Sequence, residues 1–225
     1  MPRQLRSPVA RIELWWCELA ADDSALEVYS QWLSEAERQR ASRYGKPALA
    51  RRYIAGRAAL RWILARERNI DPAAVPIEQD RRGRPRSHGG PDFNVSNTRG
   101  IALIALSRLD GVRVGVDVEH RDRKLEHVGL SRKYLTRREQ ESLEGRDDDE
   151  RRRTFLRLWT CKEAMSKATG DALSAPIRAI DVSQTPTLRL IHGPPPYEPQ
   201  AWTLHALDVP ESFIATLAVW RMEIV

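Results

Sequence analysis

The sequence predicts a mixed α/β protein that is built from two similar halves. Valine alternates with other residues over 112–118, which is typical of a strand with one buried face. Residues 47–69 and 154–169 carry apolar residues at helical spacing, and short strand-like segments follow each of these helices. The order of strand, long helix and strands therefore occurs twice, with a junction near residues 107–111, although no sequence repeat is visible.

The first predicted domain, residues 1–108, has recognisable helix boundaries. Ser34 and Glu37 have the Ser-x-x-Glu spacing of a capping box, which opens a helix. Asp71 and Pro72 end the long helix, because proline cannot continue it. In chain order we predict a strand at 11–19, helices at 23–32, from 34 onward and at 47–69, and strands at 75–79, 93–96 and 101–106.

The second predicted domain, residues 109–225, begins with a turn at Asp110 and Gly111 that leads into the valine-rich strand. The acidic run at 147–150 precedes the long helix, where negative charge suits the helix dipole. Gly170 offers a stop for this helix. In chain order we predict a strand at 112–119, the helix at 154–169, and strands at 180–183, 188–191, 202–207 and 213–220.

The composition narrows the class of protein without choosing a function. The 225 residues carry a formal net charge of +6, which favours a polyanionic partner such as a nucleic acid, a membrane surface, a nucleotide or an acidic protein. Cys17 and Cys161 both fall in apolar patterns, so we expect two buried thiols in a reducing cytoplasm. No apolar run approaches the length of a membrane span, and we therefore expect a soluble protein.

Two acids share one face of the valine-rich strand. Because the valines take one face, Asp117 and Glu119 must lie on the other, with Arg113 and Gly115. Their positions are about 7 Å apart along the strand, since the rise is about 3.3 Å per residue. Hard oxygen ligands held in this way suit magnesium. An edge strand with a wet polar face would show the same pattern.

The long helix of the second half has an apolar side and a chemical side. Trp159, Glu163 and Lys167 recur every four residues and therefore share one face. The apolar stripe consists of Phe155, Leu158, Cys161, Met165 and Ala168. An ordinary exposed Glu-to-Lys pair has the same spacing, and the motif alone does not exclude it.

A polar turn follows the predicted strand at 93–96. Ser96, Asn97 and Thr98 supply short hydrogen-bonding groups that could hold a phosphate or a nucleotide edge, although ordinary turns use the same residues. Gly83, Arg84 and Pro85 precede this segment across a loop.

Taken in order, these motifs resemble those of 4′-phosphopantetheinyl transferases of the surfactin-synthetase-activating type. The resemblance spans about residues 34–174, and it is carried by Gly-Arg-Pro at 83–85, Phe-Asn-Val-Ser-Asn-Thr at 93–98, Gly-Val-Asp-Val-Glu at 115–119 and Trp-x-x-Lys-Glu-x-x-x-Lys at 159–167. It implies transfer of phosphopantetheine from coenzyme A to a serine of a carrier protein, with magnesium and with release of 3′,5′-ADP. It also implies an α/β (α+β) fold whose halves, each a small antiparallel sheet with a long helix, are related by a pseudo-twofold axis. The active site would lie in the cleft between them.

The resemblance assigns the chemistry to the second half. Asp117, Glu119 and Glu163 would hold magnesium, and Glu163 would also accept the proton of the carrier serine, unless a water bound to the metal does so. Lys162 and Lys167 would hold the phosphates, and Lys167 would protonate the leaving group.

The resemblance also implies a set of coenzyme contacts. Arg40 and Arg52 would bind the 3′-phosphate through their guanidinium forks. Arg84 stands where the family usually has a lysine beside the adenine, and Asn97 stands where it usually has a histidine. The complete predicted set is Arg40, Arg52, Gly83, Arg84, Pro85, Ser96, Asn97, Lys162 and Lys167.

Residues 120–135 mix cations with apolar side chains and are the predicted docking surface for an acidic carrier protein. An amphipathic loop and helix start would look the same. We expect a monomer that binds neither nucleic acid nor membrane. Two other functions remain open: a basic nucleic-acid-binding module, which leaves the acids unexplained, and a magnesium-dependent phosphotransferase that uses another nucleotide.

Overall fold

A computed structural model describes residues 2–222, and within them the strands form two main antiparallel sheets and two short ribbons. The outermost ends of the predicted domains, residue 1 and residues 223–225, lie outside the described residues. The expected mixture of small antiparallel sheets and helices is confirmed.

The first half contains a four-stranded sheet with the strand order β1-β2-β6-β5 and a ribbon of β3 and β4. Its elements are β1 (Arg3–Leu5), β2 (Ile12–Glu18), α1 (Asp23–Trp32), α2 (Glu35–Ser42), α3 (Pro47–Arg68), β3 (Glu78–Gln79), β4 (Pro85–Arg86), β5 (Asp92–Thr98) and β6 (Ile101–Ser107). The predicted capping box is confirmed, because Ser34 and Glu37 exchange hydrogen bonds at the start of α2.

The second half contains a three-stranded sheet with the strand order β10-β11-β7 and a ribbon of β8 and β9. Its elements are β7 (Val112–His120), α4 (His127–Tyr134), α5 (Arg137–Glu141), α6 (Asp148–Thr169), β8 (Asp181–Ser183), β9 (Arg189–His192), β10 (Trp202–Ala206) and β11 (Phe213–Arg221). Helix α6 ends at Gly170, whose φ of 83° suits glycine and confirms the predicted stop.

The two halves repeat one topology. Each contains a strand, two short helices, a 22-residue helix, a two-stranded ribbon and a hairpin. The last strand of each hairpin pairs with the strand that precedes the helices, β6 with β2 and β11 with β7. Strand β1 is an addition at the outer edge of the first sheet. The division into domains at residues 108 and 109 falls between β6 and β7 and stays a prediction.

Three apolar clusters hold the layers together. One cluster lies between α3 and the first sheet, and another surrounds α6. The third joins the two sheets, and Val114, Val116 and Val118 of β7 belong to it, as their alternation predicts. Cys17 and Cys161 are free and buried, and burial raises the pKa of each thiol to about 12, so the prediction of two buried thiols is confirmed.

The sheets meet where β5 lies beside β7, and side chains rather than backbone pairing join these two strands. Alternate side chains of β5 accept hydrogen bonds from alternate backbone N–H groups of β7. The three bonds run from Val114 to Asp92 Oδ2 (2.8 Å), from Val116 to Asn94 Oδ1 (3.1 Å) and from Val118 to Ser96 Oγ (3.3 Å). This ladder fixes the position of one half against the other.

Helix α6 packs directly on the polar face of β7. A Cβ atom added to Gly115 would lie 1.9 Å from the carbonyl oxygen of Ala164 and 2.8 Å from the nitrogen of Ala168. Glycine is therefore required here, because any side chain would push the helix away from the strand. The backbone of α6 therefore fills the space beside the acids at this point of β7.

Several predicted boundaries were wrong. Helix α6 begins at Asp148 rather than at residue 154, because Asp147 caps it and the acidic run forms its first turn. The predicted strand at 75–79 is reduced to Glu78–Gln79, after a short 3₁₀ turn at Pro72–Ala74. Strands β1 and β4 and helices α4 and α5 were not predicted, since each is too short to show a clear period.

Replacing Gly115 with alanine should destabilise the protein by about 1–3 kcal/mol, because the backbone of α6 has to move to admit the methyl group. Urea unfolding measures this loss. The matched control is Gly45→Ala, since an added Cβ at Gly45 meets no atom within 4 Å. Equal stability of the two variants would contradict the close approach of α6 to β7.

Candidate active site

Strand β7 presents its two acids to α6 rather than to solvent. Asp117 and Glu119 are 5% and 9% exposed, which excludes a wet edge strand. Glu163 of α6 is half-buried. The close approach at Gly115 brings Glu163 and Lys167 to this face of the strand, because they lie one residue before Ala164 and Ala168. The shared face predicted from the alternation of β7 therefore forms one wall of a site.

Lys167 joins three elements at a single point. Its ammonium donates to Asp117 Oδ1 of β7 at 2.7 Å, to Ser96 Oγ of β5 at 2.9 Å and to the carbonyl oxygen of Val116 at 3.3 Å. The hydroxyl of Ser96 donates to the same carboxylate oxygen at 2.7 Å. Side chains from both halves thus converge on Asp117, as the prediction of a site between the halves requires.

The acids of this cluster perturb one another. Burial raises the pKa of Glu119 and of Glu163, and the negative charge of Asp117 raises both further. Lys167 and Arg123 act in the opposite direction, and the guanidinium of Arg123 forms an ion pair with Glu119. Additional positive charge near these carboxylates would therefore favour their ionised forms.

The donor set fits a divalent cation in its chemistry. Among the described residues, no group of three Asp, Glu, His or Cys side chains is arranged as a finished set of metal ligands. Lys167 and Arg123 instead neutralise Asp117 and Glu119. Within residues 2–222, Asp117 Oδ2 is nevertheless buried without a hydrogen-bond partner, and a hard cation would satisfy this oxygen. Magnesium binding by Asp117, Glu119 and Glu163 stays a prediction.

A cavity of about 900 Å³ opens in the first half, next to this cluster. Arg40 of α2 and Arg52 of α3 line it, and within residues 2–222 neither guanidinium is paired with a carboxylate. The guanidinium of Arg40 lies 5.5 Å from the ring centre of Tyr53. Gly83, Pro85 and Asn97 complete the set of predicted coenzyme contacts that line the cavity.

Strand β5 connects the cavity with the acids. Val95 and Asn97 line the cavity, whereas the intervening Ser96 points to the opposite side and bonds Asp117 and Lys167. This follows from the alternation of side chains along a strand. A ligand that fills the cavity and passes the edge of β5 would therefore reach the carboxylates.

Comparison with known proteins gives the family. The model of the 4′-phosphopantetheinyl transferase superfamily matches residues 113–218. The 4′-phosphopantetheinyl transferase HetI of Nostoc is 32% identical over 215 residues, which cover 92% of this chain and 87% of HetI. The chain belongs to this superfamily. A putative 4′-phosphopantetheinyl transferase of Synechocystis is 31% identical, and the match covers 75% of this chain and 68% of that protein. The 4′-phosphopantetheinyl transferase Sfp of Bacillus subtilis is 25% identical, and the match covers 69% of this chain and 68% of Sfp.

The family predicted from the four motifs is thus confirmed, together with the assignment of the chain as an enzyme of the phosphopantetheinyl transferase class. Asp117, Glu119, Glu163 and Lys167 lie inside the segment that the family model matches, and the arginines of the cavity lie before it. The role of each individual side chain stays a prediction. Within residues 2–222, no helix has the length and apolar character that a membrane crossing needs.

The structure corrects the role predicted for Lys162. This side chain is fully buried, and its ammonium donates to Glu139 Oε2 at 2.6 Å and to the carbonyl oxygens of Tyr134 at 3.1 Å and Ile177 at 3.0 Å. All three hydrogens of the ammonium are used, so none is left for a phosphate. Burial raises the pKa of Glu139 and lowers that of Lys162.

The structure also corrects the role predicted for Arg84. Its side chain is 5% exposed and does not line the cavity, although its neighbours Gly83 and Pro85 do. The guanidinium binds Asp92 through two hydrogen bonds of 2.7 and 2.8 Å, and it also donates to two backbone carbonyls of the second half. These bonds direct Arg84 away from any coenzyme in the cavity.

Two residues of this region were missed in the sequence. Arg123 pairs with Glu119 four residues earlier, and it belongs to the segment 120–135 that was predicted to bind the carrier. Glu139 is the buried partner of Lys162. Its spacing from Thr136 is that of a capping box, which predicts the start of α5 but not the ion pair.

Replacing Lys162 with methionine should lower the free energy of unfolding by about 3–5 kcal/mol, because Glu139 is then left buried without a counter-charge. The dissociation constant for coenzyme A should change less than about twofold, since protein acceptors use all three hydrogens of the Lys162 ammonium. Urea unfolding and titration calorimetry measure the two quantities. The exposed control, Lys124→Met, should alter stability by less than about 0.5 kcal/mol. Weaker coenzyme binding at unchanged stability would restore the phosphate role.

Proposed function

We propose that this phosphopantetheinyl transferase moves the 4′-phosphopantetheine group of coenzyme A to a serine of an apo carrier protein and releases 3′,5′-ADP. The observation that carries this proposal is the convergence of Lys167, Ser96 and Asp117 on one side of β5, whose neighbouring residues Val95 and Asn97 line an arginine-containing cavity on the other side. The carboxylates and the ammonium suit a reacting phosphate, and Arg40 and Arg52, which form no ion pair within residues 2–222, suit a second phosphate.

The cavity of the first half is the proposed site for the nucleotide part of coenzyme A. Arg40 and Arg52 suit the 3′-phosphate, because each offers a guanidinium fork that no carboxylate of the described chain occupies. Gly83 and Pro85 supply the wall beside the adenine. Asn97 is exposed on the same cavity and can donate a hydrogen bond, but it carries no charge where the family usually has a histidine.

The proposed reaction is a direct displacement at the β-phosphate of coenzyme A. The oxygen of the carrier serine forms a bond to this phosphorus, and the bond between the phosphorus and the bridging oxygen of 3′,5′-ADP breaks. Glu163, directly or through a water, accepts the serine proton. Lys167, whose ammonium bonds Ser96 and Asp117, would donate a proton to the departing phosphate.

Asp117, Glu119 and Glu163 would hold magnesium in this reaction. When bound, the cation supplies positive charge that neutralises the pyrophosphate oxygens. The unpaired Oδ2 of Asp117 and the raised pKa values of the two glutamates support this assignment, because all three groups gain from a nearby cation.

The carrier protein is proposed to dock on residues 120–135, which contain α4. Lys124, Arg132 and Lys133 are exposed there, and Val128 is 40% exposed among them. These cations would steer an acidic carrier, so its KM should rise with salt. Arg123 fits this role less well, since it pairs with Glu119. We also expect a monomer in the cytoplasm.

The function is tested by incubating the protein with coenzyme A, magnesium and a panel of apo carrier proteins, and weighing each carrier by mass spectrometry. We expect at least one carrier to gain the mass of a single phosphopantetheine group. Asp117→Asn and Glu163→Gln should each slow this transfer by about 100-fold or more, because charge stabilisation at the phosphate is lost. The exposed control Glu144→Gln should not. A lack of modification across the panel would refute the proposal.

Binding of the 3′-phosphate is tested with coenzyme A and its analogue that lacks this phosphate. Arg40→Ala and Arg52→Ala should each raise the KM for coenzyme A by roughly 10- to 100-fold, since a charge-assisted hydrogen bond contributes about 1.5–3 kcal/mol. The KM for the analogue should stay nearly constant. Arg38→Ala is the control, because Arg38 lies on the same helix but pairs with Glu35. Equal effects on both substrates would place the 3′-phosphate elsewhere.

A further inference from the structure

The turn between β3 and β4 reaches from the first half to the end of α6. Asp80 Oδ1 accepts hydrogen bonds from the backbone nitrogens of Arg82 at 2.9 Å and Arg84 at 3.0 Å. The nitrogen of Gly83, whose φ is +80°, donates to the Asp80 carbonyl at 2.9 Å. The backbone of this turn is therefore well fixed, and the two arginine side chains extend from it towards the second half.

Arg84 contacts three elements with one guanidinium. Its two terminal nitrogens bind the carboxylate of Asp92 on β5, and Nη2 also donates to the carbonyl oxygen of Val114 on β7 at 2.9 Å. Nε donates to the carbonyl oxygen of Lys167 on α6 at 3.1 Å. A lysine could not make these contacts together, because an ammonium is a point charge without the planar fork.

The carbonyl of Lys167 lies in the last turn of α6, where carbonyl groups have no partner inside the helix. Arg84 supplies that partner. Its positive charge is also favourable at the negative end of the helix dipole. The guanidinium thus holds the backbone of the residue whose ammonium bonds Ser96 and Asp117.

The same guanidinium fixes the start of the ladder between β5 and β7. Asp92 Oδ2 accepts from Arg84 and also from the backbone nitrogen of Val114. In the third hydrogen bond of this ladder, Ser96 Oγ accepts from the backbone nitrogen of Val118, and the same hydroxyl donates to Asp117 Oδ1. Arg84 is therefore connected to both partners of the Lys167–Asp117 pair, through α6 on one side and through the strands on the other.

From these contacts we propose that Arg84 is a positioning residue, which sets the place where the Lys167 ammonium and the Asp117 carboxylate meet and does not contact coenzyme A. The inference rests on the proposed transferase function. Arg82 is the natural comparison, since it crosses to Asp171 from the same turn, but its side chain is 59% exposed. Exposed ion pairs contribute little, so only the buried arginine should matter for the reaction.

The test measures carrier modification by Arg84→Ala, Arg84→Lys and the control Arg82→Ala, with folding checked by circular dichroism and thermal unfolding. Arg84→Ala should lower kcat by about 100-fold at saturating coenzyme A, because a displacement of about 1 Å in a reacting group costs that much. Arg84→Lys should lower it by at least about tenfold, and the KM for coenzyme A should stay within about threefold in both. Arg82→Ala should retain kcat within about twofold.

A second comparison separates positioning from general weakening of the structure. In a Lys167→Ala background, the further change Arg84→Ala should lower kcat by much less than the about 100-fold expected in the wild type, since one of the two groups that Arg84 positions is already missing. Multiplicative effects of the two changes would overturn the proposal. A raised KM at normal kcat would also overturn it, because Arg84 would then bind coenzyme A. If Arg84→Ala does not fold, Arg84→Lys decides the test, and a normal kcat of the folded Arg84→Lys variant would overturn the proposal. Inactive wild-type protein would instead refute the transferase function.

Discussion

Three buried backbone N–H groups of β7 need hydrogen-bond acceptors where the two sheets meet, and the rest of the structure depends on which groups accept these bonds. Their residues are 0–1% exposed, and an unsatisfied group at this depth would cost about 1–3 kcal/mol. Side chains of β5 accept all three bonds, so Asp92, Asn94 and Ser96 determine how the halves fit together. Because Ser96 also bonds Asp117 and Lys167, the last rung of the junction is part of the site. The junction between the halves therefore shares Ser96 with the site.

The site concentrates negative charge that the protein itself only partly compensates. Asp117 forms an ion pair with Lys167, and Glu119 forms one with Arg123, whereas Glu163 has no ion pair among residues 2–222. Burial and the charge of Asp117 disfavour ionisation of both glutamates. Burying these carboxylates with incomplete compensation disfavours the folded state, and a cation placed beside them would relieve that cost.

Local periodicity predicted most of this architecture and part of the site. Alternation along β7 placed Asp117 and Glu119 on one face, and the four-residue spacing on α6 placed Glu163 and Lys167 together, because both patterns are properties of single elements. The phosphate role of Lys162 came only from the family resemblance, and its burial against Glu139 is decided by the packing of α5 on α6. The partners of Arg84 lie on three other elements, and no local pattern encodes such contacts. Packing of one element on another decides them.

The buried ion pair of Lys162 has a counterpart at the equivalent place in the first half. In the first half, the capping-box residue Glu37 pairs with Arg61 of the long helix α3, whose guanidinium also donates to three backbone carbonyls between residues 72 and 75. In the second half, the capping-box residue Glu139 pairs in the same way with Lys162 of α6, which donates to two backbone carbonyls. In both halves, a buried cationic side chain of the long helix thus pairs with a capping-box glutamate and donates to nearby backbone carbonyls. Neighbouring residues on a helix point about 100° apart. The two adjacent residues of the α6 motif therefore have different positions: Lys162 is buried and holds the helix, whereas Glu163 faces the site.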